Sequence, residues 1–210
     1  MTTRLPRGAW TAALMVGAAA AISAEVAVGI LLYASPGFMR SLTTILAAEG
    51  VALAAGLHAA PPVGPGLVDR LRRRWLFCLA AFLLAAVFGT LWSMVEVVGQ
   101  GRIGQGLGLA LLAGLPLFAC GTLLGGMGVV AACDVSGRLP PPGAAAALGA
   151  GLGFVATGLL LPRAPIPASL LVGCLMLLSG GGMIYGSVVG EVLAPAPAPV
   201  PAADPPLPPP

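Results

Sequence analysis

The chain is short of charge, and that shortage already excludes a class of protein. Only 8% of its 210 residues are Asp, Glu, Lys or Arg, whereas a soluble domain carries about 25%. All ten basic residues are arginines, and with seven acids they give a formal charge of +3. This small excess is explained better by membrane topology than by nucleic-acid binding. We therefore expect the lipid bilayer, and no nucleic acid, among its partners.

Histidine and cysteine are too few or too scattered for the usual cofactor sites. His58 is the only histidine, so the chain alone cannot supply both axial ligands of a bis-histidine haem. The four cysteines have no CxxC spacing and lie in or beside apolar stretches, which is typical of small buried residues. No spacing predicts tetrahedral zinc. We expect no metal, no cofactor and no enzymatic activity of the chain's own.

Apolar sequence is what the chain has in abundance. Hydrophobic residues make up 58% of it, and a helix needs about 20 apolar residues to cross a bilayer core of roughly 30 Å. Six stretches have about that length: 9–33, 41–60, 75–98, 107–133, 143–161 and 168–193. We predict an all-α polytopic integral membrane protein, with a six-transmembrane-helix bundle over residues 1–193.

A proline-rich tail forms the second region, 194–210. Its alternating Ala-Pro sequence and final Pro-Pro-Leu-Pro-Pro-Pro predict an extended polyproline II or disordered segment, because proline fixes φ and removes backbone donors. One interpretation is a spacer or a ligand for a proline-recognising groove. The other is a solvated low-complexity tail without a partner.

Arginine positions predict the orientation. Seven arginines precede the first span or lie between spans two and three or four and five: Arg4, Arg7, Arg70, Arg72, Arg73, Arg74 and Arg138. The alternate loops hold only three: Arg40, Arg102 and Arg163. The positive-inside rule then predicts cytoplasmic termini in a bacterial inner membrane.

The first span has a competing interpretation as a secretory signal peptide. Two arginines, an apolar run and small residues near Ser23 resemble one. The apolar run continues to Tyr33, however, well beyond the usual signal length of about 7–15 residues. We therefore predict a retained helix.

Glycine and proline indicate how the helices pack. Gly121 with Gly125, and Gly149 with Gly153, form GxxxG pairs, which permit close backbone approach between helices in lipid. Pro116 is expected to kink or interrupt the fourth span.

Glutamates in or near the spans are the candidate sites. Glu25 and Glu49 each lie eight or nine residues from the outer end of their span, roughly 12–13 Å deep at about 1.5 Å per residue. Adjacent antiparallel helices could bring the two carboxyls together as a cation or proton site. Glu96 lies near the outer end of the third span and is a third candidate. The alternative is a protonated Glu that donates to the backbone or to a hydroxyl, for example that of Ser23, Thr43 or Thr44.

Two stretches carry a resemblance to a known family. They are VALAAGLHAAPPVGPGLVDRLRRR over 51–74, and 111–161, which contains LLAGLPLFACGTLLGGM and LGAGLGFVATGLLLP. With a glutamate in the first helix, they resemble the membrane domain of bacterial spermidine-synthase-like proteins. The matching positions are Glu25, Asp69–Arg70, Pro116 with Gly121, and Gly149–Gly153 with Pro162.

The resemblance stops where the catalytic part would begin. In that family a soluble aminopropyltransferase-like domain follows the membrane part, whereas here only the proline-rich tail follows. The resemblance therefore implies a non-catalytic accessory or anchoring subunit, whose chemistry would come from a separate protein partner.

A second resemblance is to one half of a major-facilitator transporter. Asp69, Arg70 and Arg73 lie between spans two and three, as in the family's G-x-x-x-D-R-x-G-R-R loop, but Pro65 and Arg72 replace its two glycines. This implies a half-size carrier that works as a homodimer, with these three residues as a cytoplasmic clamp. The alternative is that they are topology charges alone.

Overall fold

The computed structural model describes six stretches of the chain, and all of them are helical apart from single turn residues. They are 7–33, 38–59, 66–95, 106–132, 142–160 and 166–192. The helices are α1 (Arg7–Tyr33), α2 (Phe38–His58), α3 (Leu67–Val95), a π-helical turn (Leu109–Gly114) that continues into α4 (Leu115–Ala132), α5 (Pro142–Leu160) and α6 (Ile166–Val192). These stretches contain no strand, so the described chain is all-α, as its sequence predicts.

Three helical segments are long and apolar enough to cross a membrane. They are Trp10–Leu32 in α1, Asp69–Trp92 in α3, and Gly106–Gly128 through the π-helical turn into α4. The apolar parts of α2, α5 and α6 are shorter within the described residues: Leu42–His58, Gly143–Leu159 and Ser169–Gly182. Large apolar side chains cover the outer faces of α2, α3, α5 and α6. Length and composition together indicate a membrane-integrated helical protein.

α1 is the central helix of the bundle. It packs along α5 and α6 over most of its length and also contacts α2, α4 and the π-helical turn. Of its membrane-length window 72% is buried, against 28% for that of α3. The sequence of residues 17–21, GAAAA, explains this position, because such small side chains let neighbouring backbones approach.

Glycines set the spacing between α1 and α5. A Cβ at Gly149 would overlap the carbonyl oxygen of Leu14, and one at Gly153 would lie 2.6 Å from that of Ala18. The contacts advance in the same direction along both helices, so α1 and α5 run parallel. Close backbone approach of this kind gives dense packing where lipid provides no hydrophobic driving force.

α6 packs antiparallel to α1. A Cβ at Gly180 would lie 3.2 Å from the side chain of Met15, and one at Gly173 would lie 3.8 Å from that of Ile22. The contact positions therefore move towards the start of α6 as they move towards the end of α1. This register matters for the site described below.

α2 and α4 meet at a second glycine contact. A Cβ at Gly121 would lie 2.5 Å from the carbonyl oxygen of Leu53 and 3.0 Å from the Cα of Gly56. Ile45, near the start of α2, lies in the same buried cluster as Leu112 at the start of the fourth helical segment. α2 and α4 are therefore parallel.

α3 connects α4 to α6. The Trp75 indole donates to the carbonyl oxygen of Leu177 on α6 (2.8 Å), and the Arg74 guanidinium donates to that of Thr122 on α4 (2.9 Å). The helix follows a turn at Gly66, whose φ of 79° lies in the left-handed region that favours glycine.

The fourth helical segment changes its winding just before Pro116. The N–H of Leu115 donates to the carbonyl oxygen of Ala110, five residues back, as in a π-helix. Pro116 has no N–H to continue the ladder and is fully buried. The interruption predicted from Pro116 is therefore present, as a change of hydrogen-bond register.

Candidate functional site

Glu25 lies on α1 at the interface with α5. Its side chain is partly exposed and interacts with the Thr157 hydroxyl, while its Oε2 is buried and has no hydrogen-bond partner. Thr157 is only 1% exposed, and its hydroxyl also donates to the carbonyl oxygen of Gly153 (2.8 Å). The parallel register explains the meeting: a Cβ at Gly153 would lie 3.0 Å from that of Ala21, and Thr157 and Glu25 are each one turn further along.

Ser169 on α6 lies at about the same height in the bundle as Glu25, and α6 runs antiparallel to α1 there. It is one turn before Gly173, which packs near Ile22, and Glu25 is one turn after Ile22 on the antiparallel α1. Ser169 is 4% exposed, and its hydroxyl oxygen is buried without a hydrogen-bond partner. The sequence alone did not indicate either hydroxyl. The signal that could have found them is a Ser or Thr in an otherwise apolar helix.

Glu49 lies on the inward face of α2. It is 7% exposed, and its Oε1 is buried without a hydrogen-bond partner. Ile45 and Gly56, at helical spacing on either side, are buried on the same face. Because Leu53 contacts Gly121 and the helices are parallel, Glu49 lies level with the beginning of α4, one turn earlier.

The start of α4 offers surplus backbone acceptors at that level. The N–H of Leu115 is used by Ala110, and Pro116 has no N–H. In a regular α-helix the N–H groups of residues 115–117 would bond to the carbonyls of residues 111–113. Of these three donors only the N–H of Leu117 remains for those carbonyls. A buried carboxyl and surplus carbonyls can together bind a proton or a cation, because oxygens are the preferred ligands of hard cations.

The two glutamates lie on different helices, and α5 and α2 approach α1 from different sides. Glu25 faces α5, whereas Ile45 of α2 clusters with Ala27 of α1, and residues 25 and 27 are about 200° apart around a helix. Among the described residues, no contact joins Glu25 to Glu49. The structure thus presents two separate carboxyl environments, where the sequence left open a shared one.

The clamp candidates are at the start of α3. Asp69 and Arg73 are exposed, and Arg70 is partly buried with its backbone N–H donating to Gly66 (3.1 Å). Arg74 reaches another helix, because its guanidinium donates to the carbonyl oxygen of Thr122 on α4. The sequence alone does not distinguish Arg74 from Arg70, Arg72 and Arg73, because the four clustered arginines have the same chemistry.

Other predicted features lie outside the described residues. Glu96, the proline-rich tail over 194–210, and Cys133 are among them. The described residues begin at 7 and end at 192, so both chain termini lie outside them. The prediction for the tail and the candidacy of Glu96 therefore stay predictions.

Three cysteines are buried and free in the bundle. Cys78 and Cys120 approach within 3.6 Å between sulfurs, joining α3 to α4, and Cys174 on α6 is also buried. No group of three His, Cys, Asp or Glu suited to a metal ion occurs in the described part of the chain. The thiols there behave as small packing residues.

Comparison of the chain with protein-family profiles, with curated proteins and with solved structures gives no match.

Proposed function

We propose that this chain is a non-catalytic integral membrane module that acts as an accessory or anchoring subunit of a separate protein. The observation that carries the proposal is the enclosure of α1 by helices whose outer faces are apolar, so that nearly all of the described chain belongs to a lipid-embedded bundle. A module of this kind contributes position and membrane attachment, and its partner contributes the chemistry.

The proposal includes six membrane crossings. α1 is parallel to α5 and antiparallel to α6, and α2 is parallel to α4. Strict alternation of six spans requires these same relations, so the helix directions support the count. Both termini would then be cytoplasmic in a bacterial inner membrane, as the arginines predict.

Labelling of single introduced cysteines tests the topology. The variants are Ser136→Cys and Gln100→Cys, in a background whose native cysteines are replaced by alanine or serine. In intact cells, an impermeant thiol reagent should label position 100 and leave position 136 unlabelled until the membrane is opened. The reverse pattern would invert the topology, and labelling of both positions in intact cells would contradict the six-span arrangement.

The resemblance to the membrane domain of spermidine-synthase-like proteins extends the proposal to a partner class. In that family the soluble domain is covalently attached, and here a separate aminopropyltransferase-like subunit would replace it. Purification from the native membrane in mild detergent, followed by mass spectrometry, tests this. A stoichiometric soluble or membrane partner is the expected result, and a homogeneous homodimer alone would contradict the proposal of a separate enzyme subunit.

A second candidate, a half-size carrier for a cation or proton, is favoured by one specific observation. Glu49 is almost wholly buried beside the irregular start of α4 and has a carboxyl oxygen without a partner. Uncompensated acids at this depth are costly, and where they occur they mark ion and proton pathways. As a half-size carrier, the chain would form the pathway as a homodimer.

Flux measurements in liposomes test the carrier. Glu49→Gln and Glu25→Gln should each abolish cation or proton flux while thermal unfolding and monodispersity in detergent stay close to wild type. Flux that persists in the double Gln variant would rule out the carboxylate mechanism.

A further inference from the structure

The start of α3 concentrates positive charge at one end of a membrane-length helix. Residues 69–74 hold four arginines and one aspartate. The apolar window Asp69–Trp92 has 24 residues, which is about 36 Å of helix, whereas the hydrocarbon core of a bilayer is about 30 Å thick. The first turn of α3 therefore reaches the level of the lipid headgroups when the helix spans. Trp75, a residue type enriched at that boundary, follows the last arginine.

Three of these arginines share one stripe of the helix. Arg70, Arg73 and Arg74 are three or four residues apart, and this spacing places them on one side of α3. Phe77 continues the same spacing one turn further along. Arg72 is different, because it lies about 160° around the helix from both Arg70 and Arg74. The stripe of Arg70, Arg73, Arg74 and Phe77 therefore forms one surface, and Arg72 is outside it.

α4 forms the other wall of this surface. The Arg74 guanidinium donates to the carbonyl oxygen of Thr122 on α4 (2.9 Å). One turn further along α3, the rings of Phe77 and Phe118 meet edge to face with their centroids 6.4 Å apart. Phe77 is nevertheless 41% exposed. The junction of α3 and α4 thus presents an open apolar surface next to the arginines.

Two like charges are held close together at this junction. The charge of Arg70 repels that of Arg74, while the hydrogen bond to Thr122 holds Arg74 in place. An anion with several acceptor oxygens relieves such repulsion, and guanidinium groups match phosphate in geometry as well as charge. The positive-inside rule accounts for arginines on this side of the membrane, but not for two of them side by side at a helix junction.

We propose that Arg70, Arg73 and Arg74 bind the phosphate of an anionic phospholipid at the junction of α3 and α4. Its acyl chains would lie over Phe77 and along the outer face of α3, whose exposed residues from 76 to 91 are all apolar. A soluble anion would satisfy the arginines but leave that apolar surface uncovered, and a zwitterionic headgroup would add a positive charge beside them. The inference goes beyond the proposed function, since it needs neither a partner subunit nor transport.

Native mass spectrometry of the full chain in neutral detergent tests the proposal. The protein is titrated with phosphatidylglycerol and, separately, with phosphatidylcholine that carries the same acyl chains. We expect phosphatidylglycerol to bind at least about tenfold more tightly. Arg70→Gln and Arg74→Gln should each lower its affinity about fivefold, because one arginine beside an anionic headgroup contributes about that factor.

Arg72→Gln is the matched control. It removes the same charge from the same turn of α3 but from outside the stripe, so it should change the affinity less than about twofold. If Arg74→Gln fails to fold without its bond to Thr122, then Arg70→Gln and Arg73→Gln provide the test. A further titration adds inorganic phosphate at about one hundred times the lipid concentration, and this should not displace the lipid.

Three outcomes would overturn the lipid site. Equal affinities for the two lipids would show that headgroup charge is not recognised. An equal loss in Arg72→Gln would show that the arginines act as a diffuse surface charge. Displacement by inorganic phosphate would show a site for soluble anions. The result is independent of the proposed partner subunit, because the lipid titration uses the chain alone and co-purification from the native membrane tests the partner.

Discussion

Glu25 and Glu49 begin from the same sequence signal and end in different surroundings. Glu25 is partly exposed and interacts with the Thr157 hydroxyl of α5. Glu49 is 7% exposed and lies on the inward face of α2, level with the irregular start of α4. The first environment supplies side-chain ligands, and the second supplies mainly backbone carbonyls. An acid in an apolar span therefore does not define a site until its neighbours are known.

The largest expected effect comes from disrupting the glycine contact nearest each glutamate, which is Gly153 for Glu25 and Gly121 for Glu49. Gly153→Val puts a branched side chain against the α1 backbone and should destabilise the bundle by about 1–3 kcal/mol, as overpacking does. Carbodiimide labelling of Glu25 should change and that of Glu49 should not. Gly121→Val should change the labelling of Glu49 and leave that of Glu25 unchanged, because it separates α2 from α4.

Matched controls exist for both substitutions. Gly158 and Gly128 have no atom within 4 Å of an added Cβ. Gly158→Val and Gly128→Val should therefore leave the thermal unfolding midpoint in detergent and the labelling of both glutamates close to wild type. Equal losses in the control and test variants would show that the helix contacts at Gly153 and Gly121 do not set the effect.

Replacing each glutamate by leucine should affect stability differently, and only the Glu49 substitution should stabilise the protein. Glu49→Leu removes a buried carboxyl with an unsatisfied oxygen and should stabilise the protein by about 1–3 kcal/mol. Glu25→Leu removes the partner of Thr157 and leaves hydroxyls at an apolar surface, so it should be neutral or destabilising. Denaturant unfolding followed by tryptophan fluorescence measures both, and a destabilised Glu49→Leu variant would show that Glu49 has a partner.

Thr157→Val should change stability by a smaller amount, and only through the surroundings of Glu25. It removes the hydroxyl that interacts with Glu25 and should cost about 1 kcal/mol. In a double-mutant cycle with Glu25→Gln, the two substitutions should couple. Thr122→Val is the control, since that hydroxyl donates to the carbonyl oxygen of Ala119 within its own helix (2.8 Å). Additive effects in the Thr157 cycle would show that Thr157 and Glu25 do not interact.

The smallest expected effect is that of Pro116→Ala. It restores one backbone N–H to the acceptors beside Glu49 and should change stability by less than about 1 kcal/mol. Labelling of Glu49 should fall as the free carbonyls are satisfied, while labelling of Glu25 should not change. A change confined to Glu25 would show that the start of α4 does not face Glu49.

Much of the fold follows from local sequence. The helices occupy the predicted apolar stretches, and Gly121, Gly149 and Gly153 mark contacts between helices, because small residues are what close approach requires. The interruption at Pro116 also follows from local sequence, because proline lacks the N–H that the helix ladder needs. The six-span count is not local in this sense, because the described apolar parts of α2, α5 and α6 are shorter than a crossing needs.

The candidate site follows from sequence only in part. Glu25 and Glu49 stand out because a charge in an apolar span is costly wherever it occurs. Thr157 and Ser169 do not stand out, since each is an ordinary polar residue in its own helix. Their importance depends on α5 running parallel and α6 antiparallel to α1, at registers set by Gly153 and Gly173.

The sequence by itself determined that this protein is helical, apolar enough to lie in a membrane, and provided with isolated carboxyl groups, because length, hydropathy and charge are properties of each segment alone. Only the tertiary structure decided that α1 lies at the centre, that its glutamate meets the Thr157 hydroxyl of α5, and that Glu49 is buried on α2. The physical reason is that a side chain's neighbours depend on helix rotation and register. Both arise from packing between segments far apart in the chain.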